Sequence, residues 1–278
     1  MMSMKVIRTM PFAFFMCVAL VAGCSVKEDR SECPCVLMLD LTELDTAYVK
    51  SVNVLAVSAD GVVLDDYVSA ADFEAGYRKE VPHGFIQVNV WSDGGGTVGG
   101  SGVRSEDSGV QGRDAGRIVH IPYGVECPPV YLHSFVADTR GEACRECVHL
   151  NKNHCRLTVM MPDGSYVPYS LTFKGMVDGY DIRGMPSGGD FSCVAYPSDV
   201  GESCVVLPRQ VDNSLVMEVD DGVPHTKRFA IGEYLDKGGY DWNAASLADV
   251  TVILDYTLTV VTIRIVGWEK EYVYDVIL

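Results

Sequence analysis

Phe85-Ile86-Gln87-Val88-Asn89-Val90-Trp91 decides the fold class. Ile86, Val88 and Val90 fall on one face and Gln87 and Asn89 on the other. Apolar and polar residues alternating with a period of two describe a strand with one buried face. The same pattern continues outward from it. Upstream lie Val36–Thr42, Ser51–Val57 and, after the turn dipeptide Asp60-Gly61, Val62–Leu64. Downstream come Arg117–Pro122 and Val130–Val136, then Arg156–Met161, Tyr169–Lys174, Ser192–Tyr196, Cys204–Leu207, Leu215–Val219 and Lys227–Ile231. Val250–Tyr256, Leu258–Val266 and Glu271–Leu278 complete the series. Asp163-Gly164, Asp178-Gly179 and Asp221-Gly222 read as turns between strands. Only Ala70–Tyr77 and Glu233–Lys237 suggest helical turns, and no segment holds a 3.6-residue period for long. Short strands at this spacing predict an all-β chain of sandwich architecture.

The 278 residues are enough for two sandwiches. Their expected bounds are 36–148 and 149–278, with the boundary near His149. The stretch Trp91–Gly102 is rich in glycine, but neither a Lys-Ser/Thr pair nor a helix follows it, so it reads as a loop and not as a phosphate cradle.

Residues 1–23 read as an export signal. Lys5 and Arg8 precede an apolar run from Met10 to Leu20, shorter than the roughly 20 residues that span a bilayer. The run ends in Leu20-Val21-Ala22-Gly23-Cys24, which resembles a bacterial lipobox. Its small side chains suit a peptidase pocket, and Cys24 is the thiol that would take the lipid. Two or more acyl chains hold a protein stably on a membrane. Residues 24–35 then form a polar linker, in which Lys27-Glu28-Asp29 resembles the export tag of surface lipoproteins in the Bacteroidota.

Twenty-two basic residues against thirty-eight acidic ones give a net charge of −16. The export signal contains two of the basic residues and no acidic one, so the remainder is more acidic still. Phosphate backbones need a basic footprint, so nucleic acid is excluded as a general partner. Ten cysteines suggest an oxidising compartment. With Cys17 in the signal and Cys24 lipidated, Cys33, Cys35, Cys127, Cys144, Cys147, Cys155, Cys193 and Cys204 remain. Cys193 and Cys204 flank a hairpin-like loop and are the candidate disulfide. Cys144, Cys147, His149, His154 and Cys155 have the residue types of a zinc site. Strand periodicity sets Cys144 and Cys147 on opposite faces, so no metal ligands are assigned and no cofactor is expected.

No catalytic motif is present. The six histidines are scattered, and there is no Gly-x-Ser-x-Gly, His-Glu-x-x-His or Gly-x-Gly-x-x-Gly. Asp65-Asp66 and Asp220-Asp221 have the chemistry of glycosidase carboxylates or calcium ligands, but adjacent acids in turns read as solvated surface. The chain is therefore not expected to be an enzyme.

Four passages together resemble the Bacteroidales fimbrial anchor lipoproteins: Cys24-Ser-Val-Lys-Glu-Asp-Arg-Ser-Glu-Cys-Pro-Cys35 leading into Val36–Leu41, Phe85–Trp91 followed by Ser-Asp-Gly, Tyr169–Gly175, and Thr262-Ile-Arg-Ile-Val-Gly-Trp268-Glu. The resemblance implies two tandem transthyretin-like Greek-key sandwiches. It also implies an outer-membrane, lipid-anchored location at the cell surface, with fimbrial structural subunits as partners. Such subunits join by adding a β-strand to a neighbour, where main-chain hydrogen bonds give affinity and alternate side chains fill pockets. The Cys144–Cys155 cluster and the glycine-rich loop depart from the family pattern. Glu271-Tyr272-Val273-Tyr274-Asp275-Val276-Ile277-Leu278 is the candidate subunit-binding strand, with an ordinary closing strand as the alternative. A surface glycan-binding lipoprotein is the second functional reading. It needs exposed aromatic platforms, drawn from Trp91, Trp242 and Trp268, and Tyr240-Asp241-Trp242-Asn243 is the candidate. A lipid-anchored hydrolase is the third.

Overall fold

The computed structural model of the chain describes residues 34–92, 117–161, 169–199, 201–220, 222, 227–255, 260–265 and 271–275. The chain is an all-β sandwich fold, with four sheets and two hydrophobic cores among the described residues. Its strands are β1 (Cys35–Asp40), β2 (Ser51–Ser58), β3 (Gly61–Ser69), β4 (Tyr77–Val81), β5 (Phe85–Ser92), β6 (Arg117–His120), β7 (Tyr131–Asp138), β8 (Ala143–Cys147) and β9 (Asn151–Lys152). They continue as β10 (His154–Met160), β11 (Ser170–Asp181), β12 (Pro186–Ala195), β13 (Glu202–Pro208), β14 (Val216–Asp220), β15 (Lys227–Phe229), β16 (Val250–Asp255), β17 (Val260–Ile265) and β18 (Glu271–Asp275). A 3-10 turn at Ala70–Ala75 and helix α1 (Ile231–Lys237) match the two helical stretches expected. No helix among the described residues is long and apolar enough to cross a membrane.

In the first sandwich, sheet β4-β1-β8 faces sheet β3-β2-β5-β7-β9. Leu37 and Leu39 meet Val52, Val54, Ile86, Val88 and Val90 between them, the residues that alternation assigns to the inner face. In the second, β13-β10-β16-β17-β18 faces β12-β11-β14-β15, with β6 pairing β11. Leu157, Val205 and Val252 pack there against Phe173, Phe191, Met217 and Phe229.

The two halves repeat one strand plan. A first strand (β1, β10) is flanked antiparallel by β4 or β13 and parallel by β8 or β16. A hairpin (β2/β3, β11/β12) then receives two further strands in succession, β5 and β7 or β14 and β15. Beyond this plan the second half adds β17 and β18 along β16, and the first sandwich gains only the two-residue β9 along β7 among the described residues.

The boundary drawn near His149 does not separate the sheets. β6, which precedes it, pairs with β11, and β9, which follows it, pairs with β7. The outer face of the β5 sheet is also covered. Leu55, Trp91 and Leu132 join the second core. Fully buried Asn89 donates to the Ile182 carbonyl and accepts from Ser134 Oγ, which also donates to the Arg183 carbonyl. Asn89 is polar on a strand yet buried because its face meets the other sandwich instead of water, and a buried amide must be paired.

Asp178-Gly179, expected as a turn, lies inside β11. The pairing of β11 with β12 shifts register around Val177 and Gly179, and Gly179 holds φ +157°. A Cβ there would meet the Val119 carbonyl of β6, so glycine is needed for the close approach of two backbones.

Candidate functional site

The expected subunit-binding strand is the last of its sheet. Glu271–Asp275 pairs antiparallel with Val260–Ile265, and β18 ends the order β13-β10-β16-β17-β18. The register sets Tyr272 and Tyr274 opposite Ile263 and Val261. Those positions stand opposite Val252 and Leu254, which are buried in β16. The antiparallel register thus runs unbroken from β16 through β17 to β18. Val276, Ile277 and Leu278 lie outside the described residues, as do the expected export signal, the expected lipidation position Cys24 and residues 93–102 of the glycine-rich stretch, whose Trp91 and Ser92 belong to β5. An edge strand offers a row of main-chain N–H and C=O groups on the side away from its neighbour.

Cys193 and Cys204 are not bridged. Cys193 on β12 stands opposite Phe173 and is buried in the second core, whereas Cys204 on β13 stands opposite Thr158 and is exposed. The two strands belong to different sheets, and at these positions they present opposite faces. The loop length that suggested a hairpin is instead a crossover between layers. The thiol beside Cys193 is Cys127, pushed well above its ordinary range by burial, then by Cys193 and Glu126. Burial pushes the Cys193 thiol up to about 12, as it does that of Cys155.

The cysteine–histidine cluster is split three ways. Cys144 packs against the first core. His154 and Cys155 are buried in the second half, where His154 Nδ1–H donates to the Val130 carbonyl at 3.0 Å. Desolvation lowers the His154 pKa, which keeps the ring neutral. Cys147 and His149 remain outside, where Glu43 joins them. Glu43 comes from the turn after β1, and nothing local in the sequence links it to Cys147.

The candidate sugar platform is not a platform. Tyr240 and Trp242 are buried edge to face, with ring centroids 4.7 Å apart at 69°. The Tyr240 hydroxyl donates to the Ala248 carbonyl at 2.7 Å. What opens to solvent beside them is a cleft edged by Asp212, Asn213, Asp236, Asp241 and Asn243. Trp242 Nε1 is buried there with no hydrogen-bond partner among the described residues. Trp91 is buried as well, and Trp268 lies outside the described residues.

Beneath this cleft is a polar knot that the sequence does not announce. The Arg209 guanidinium donates to Asn153 Oδ1 at 2.7 Å, to the Ala244 carbonyl at 2.9 Å and to the Trp242 carbonyl. The Tyr180 hydroxyl donates to the Asn153 carbonyl and accepts from the Arg209 amide at 3.0 Å. The knot ties β11 and β13 to the 241–249 segment leading into β16. Its members are far apart in sequence, so no motif reveals it.

The sequence matches no protein-family model and no curated protein. Solved structures do match it. The fimbrial anchor protein Mfa2 from Porphyromonas gingivalis superposes with a TM-score of 0.54 at 12% identity, covering 85% of this chain and 98% of that one. A candidate polysaccharide-binding protein from Bacteroides thetaiotaomicron gives 0.54 at 12% identity, covering 87% and 98%. A candidate adhesin from the same organism gives 0.51 at 14% identity, covering 85% and 97%. At these identities what is shared is the arrangement of the chain in space: nearly the whole chain has the fold of a fimbrial anchor protein and of Bacteroides adhesin-type proteins.

Proposed function

We propose that the chain is a non-enzymatic surface subunit that holds a fimbria to the outer membrane. It is lipid-anchored through Cys24 and joined to fimbrial structural subunits by β-strand addition at its C-terminal edge. The observation that carries the reading is the β17–β18 pair. It is the part of the second half that exceeds the repeated strand plan, and it lies at a sheet edge. An appended edge strand is suited to main-chain pairing with a neighbour. The likeness of fold to a fimbrial anchor protein supports the same reading.

The test is hydrogen exchange of the purified chain, alone and mixed with fimbrial structural subunits. A stable complex with new protection at the amides of Glu271–Asp275 is expected. A complex that leaves those amides unchanged refutes strand addition there. Cys24→Ala should release the chain into the medium, and retention of that variant on the membrane sinks the lipid anchor. Binding to polysaccharide that is lost in Asp241→Ala, with no fimbrial complex formed, would favour the cleft and the glycan-binding alternative.

A further inference from the structure

We propose that Glu43, Cys147 and His149 form a binding site for one divalent transition-metal ion of the zinc class. Their ligand atoms lie within 4.8 Å of one another, and His149 Nδ1 stands 3.3 Å from Glu43 Oε2. Around a tetrahedral zinc, with bonds of about 2.0–2.3 Å, neighbouring ligand atoms sit about 3.3–3.8 Å apart. The side chains need to close by about an ångström or less.

The backbone already holds the three residues in place. β1 and β8 run parallel with Asp40 opposite Cys147, so the chain leaves both strands at the same end of the sheet. Val148 is fully buried in the first core, and its amide donates to the Asp40 carbonyl at 3.0 Å. In an extended segment the residues flanking a buried one face the other way, which sets Cys147 and His149 together on the outer side. The Glu43 turn is fixed by Leu41 and Leu44, both buried, and by Asp40 Oδ1, which accepts from the Thr42 amide and hydroxyl. His133 Nδ1–H donates to the His149 carbonyl at 3.2 Å.

Donor chemistry selects the ion. Thiolate and imidazole suit zinc and its neighbours, whereas calcium and magnesium take oxygen. Asp40 and Glu146 add negative charge around the Cys147 sulfur. Cys144 is turned to the inner face and does not compete for the ion or for the thiol. Three protein ligands leave one position for water.

The experiment titrates the full chain, stripped with chelator and kept reduced, with Co²⁺ as the spectroscopic stand-in, followed by Zn²⁺ competition. One equivalent should produce a thiolate-to-cobalt charge-transfer band and visible bands of four-coordinate intensity, both bleached by zinc. Cys147→Ser should abolish the charge-transfer band. His149→Ala and Glu43→Gln should each weaken binding at least tenfold. Cys204→Ser, which removes an exposed thiol elsewhere, should change nothing. Circular dichroism checks that each variant is folded. The proposal is overturned by the absence of a stoichiometric band. It is equally overturned by a band that survives Cys147→Ser or ignores both His149→Ala and Glu43→Gln, or by mass spectrometry showing Cys147 in a disulfide in the chain as isolated from cells.

Discussion

Arg209→Ala is expected to be the most destabilising single change near the cleft. Arg209 is half-buried, so its hydrogen bonds act in a medium poorer than water at replacing them. The substitution removes the donors to Asn153 Oδ1 and to the Trp242 and Ala244 carbonyls. Hydrogen bonds to a charged group contribute about 1.5–3 kcal/mol each, and stranding a buried acceptor costs about 1–3 kcal/mol. The three do not add fully, because water reaches part of the site and removing a half-buried charge recovers some desolvation. A net loss of about 3–4 kcal/mol remains. For a chain of this size each kcal/mol moves Tm by about 2–4 °C, so calorimetry should show a fall of about 6–16 °C. Arg209→Lys keeps the charge but not the fork, and should lose about half as much. Tyr180→Phe removes the hydroxyl that links Asn153 to the Arg209 amide, and should cost about 1–2 kcal/mol. If Arg209→Ala lowers Tm by less than about 2 °C, the carbonyls have found other donors and the knot does not hold the 241–249 segment in place.

Three further outcomes are expected. His154 is held neutral by burial, so its folded pKa lies below the ordinary 6.5. The unfolded chain then takes up the proton first, and stability, complete above that value, falls as pH drops through it, by at most about 1.4 kcal/mol per pH unit. Tm measured from pH 7.5 to 5 should fall less steeply in His154→Gln, and equal slopes would contradict this account. Gly179→Ala should unseat β6 from β11, because the new Cβ meets the Val119 carbonyl and the backbone sits at positive φ. Faster amide exchange at Arg117–His120 is the readout, and unchanged exchange there would disprove the close approach. In the folded chain iodoacetamide should label Cys204, while Cys127, Cys155 and Cys193 react only after denaturation. Peptide mass spectrometry showing equal labelling of all four would contradict the burial described.

Much of the fold is legible from alternation. β2, β5 and β10 have apolar residues every second position, and each lies between two neighbours in its sheet. The sequence is silent about two strands that flank β1 at the edges of its sheet. Tyr77-Arg-Lys-Glu-Val81 buries only its two ends, and Ala143-Cys-Arg-Glu-Cys147 has no run of large apolar residues. Charged edge strands of this kind discourage pairing with other chains, and in doing so they erase the pattern that would reveal them. β11 and β12 run longer than their apolar cores because Gly175, Gly179, Gly188 and Gly189 read as breaks yet permit register shifts within a continuous pair. The site residues divide along the same line. Glu271–Asp275 is legible as a strand from its alternation, whereas its place beside β17 at the edge comes from the pairing. Glu43 beside Cys147, and Arg209 beneath Trp242, are products of long-range pairing that no local spacing encodes. Tyr240 and Trp242 misled because an aromatic pair in a polar tetrapeptide looks the same whether its rings face solvent or fill a corner of the core.

The chain passes between the two sandwiches three times: from β5 to β6, back to β7, and across again to β10. Two modules strung on a single connector could swing apart or unravel one after the other under tension. Here, pulling the two sandwiches apart would have to strip β6 from β11 and dislodge Asn89 from the Ile182 carbonyl. Separation is therefore opposed by several hydrogen-bonded contacts at once, and the two sandwiches should move as one body.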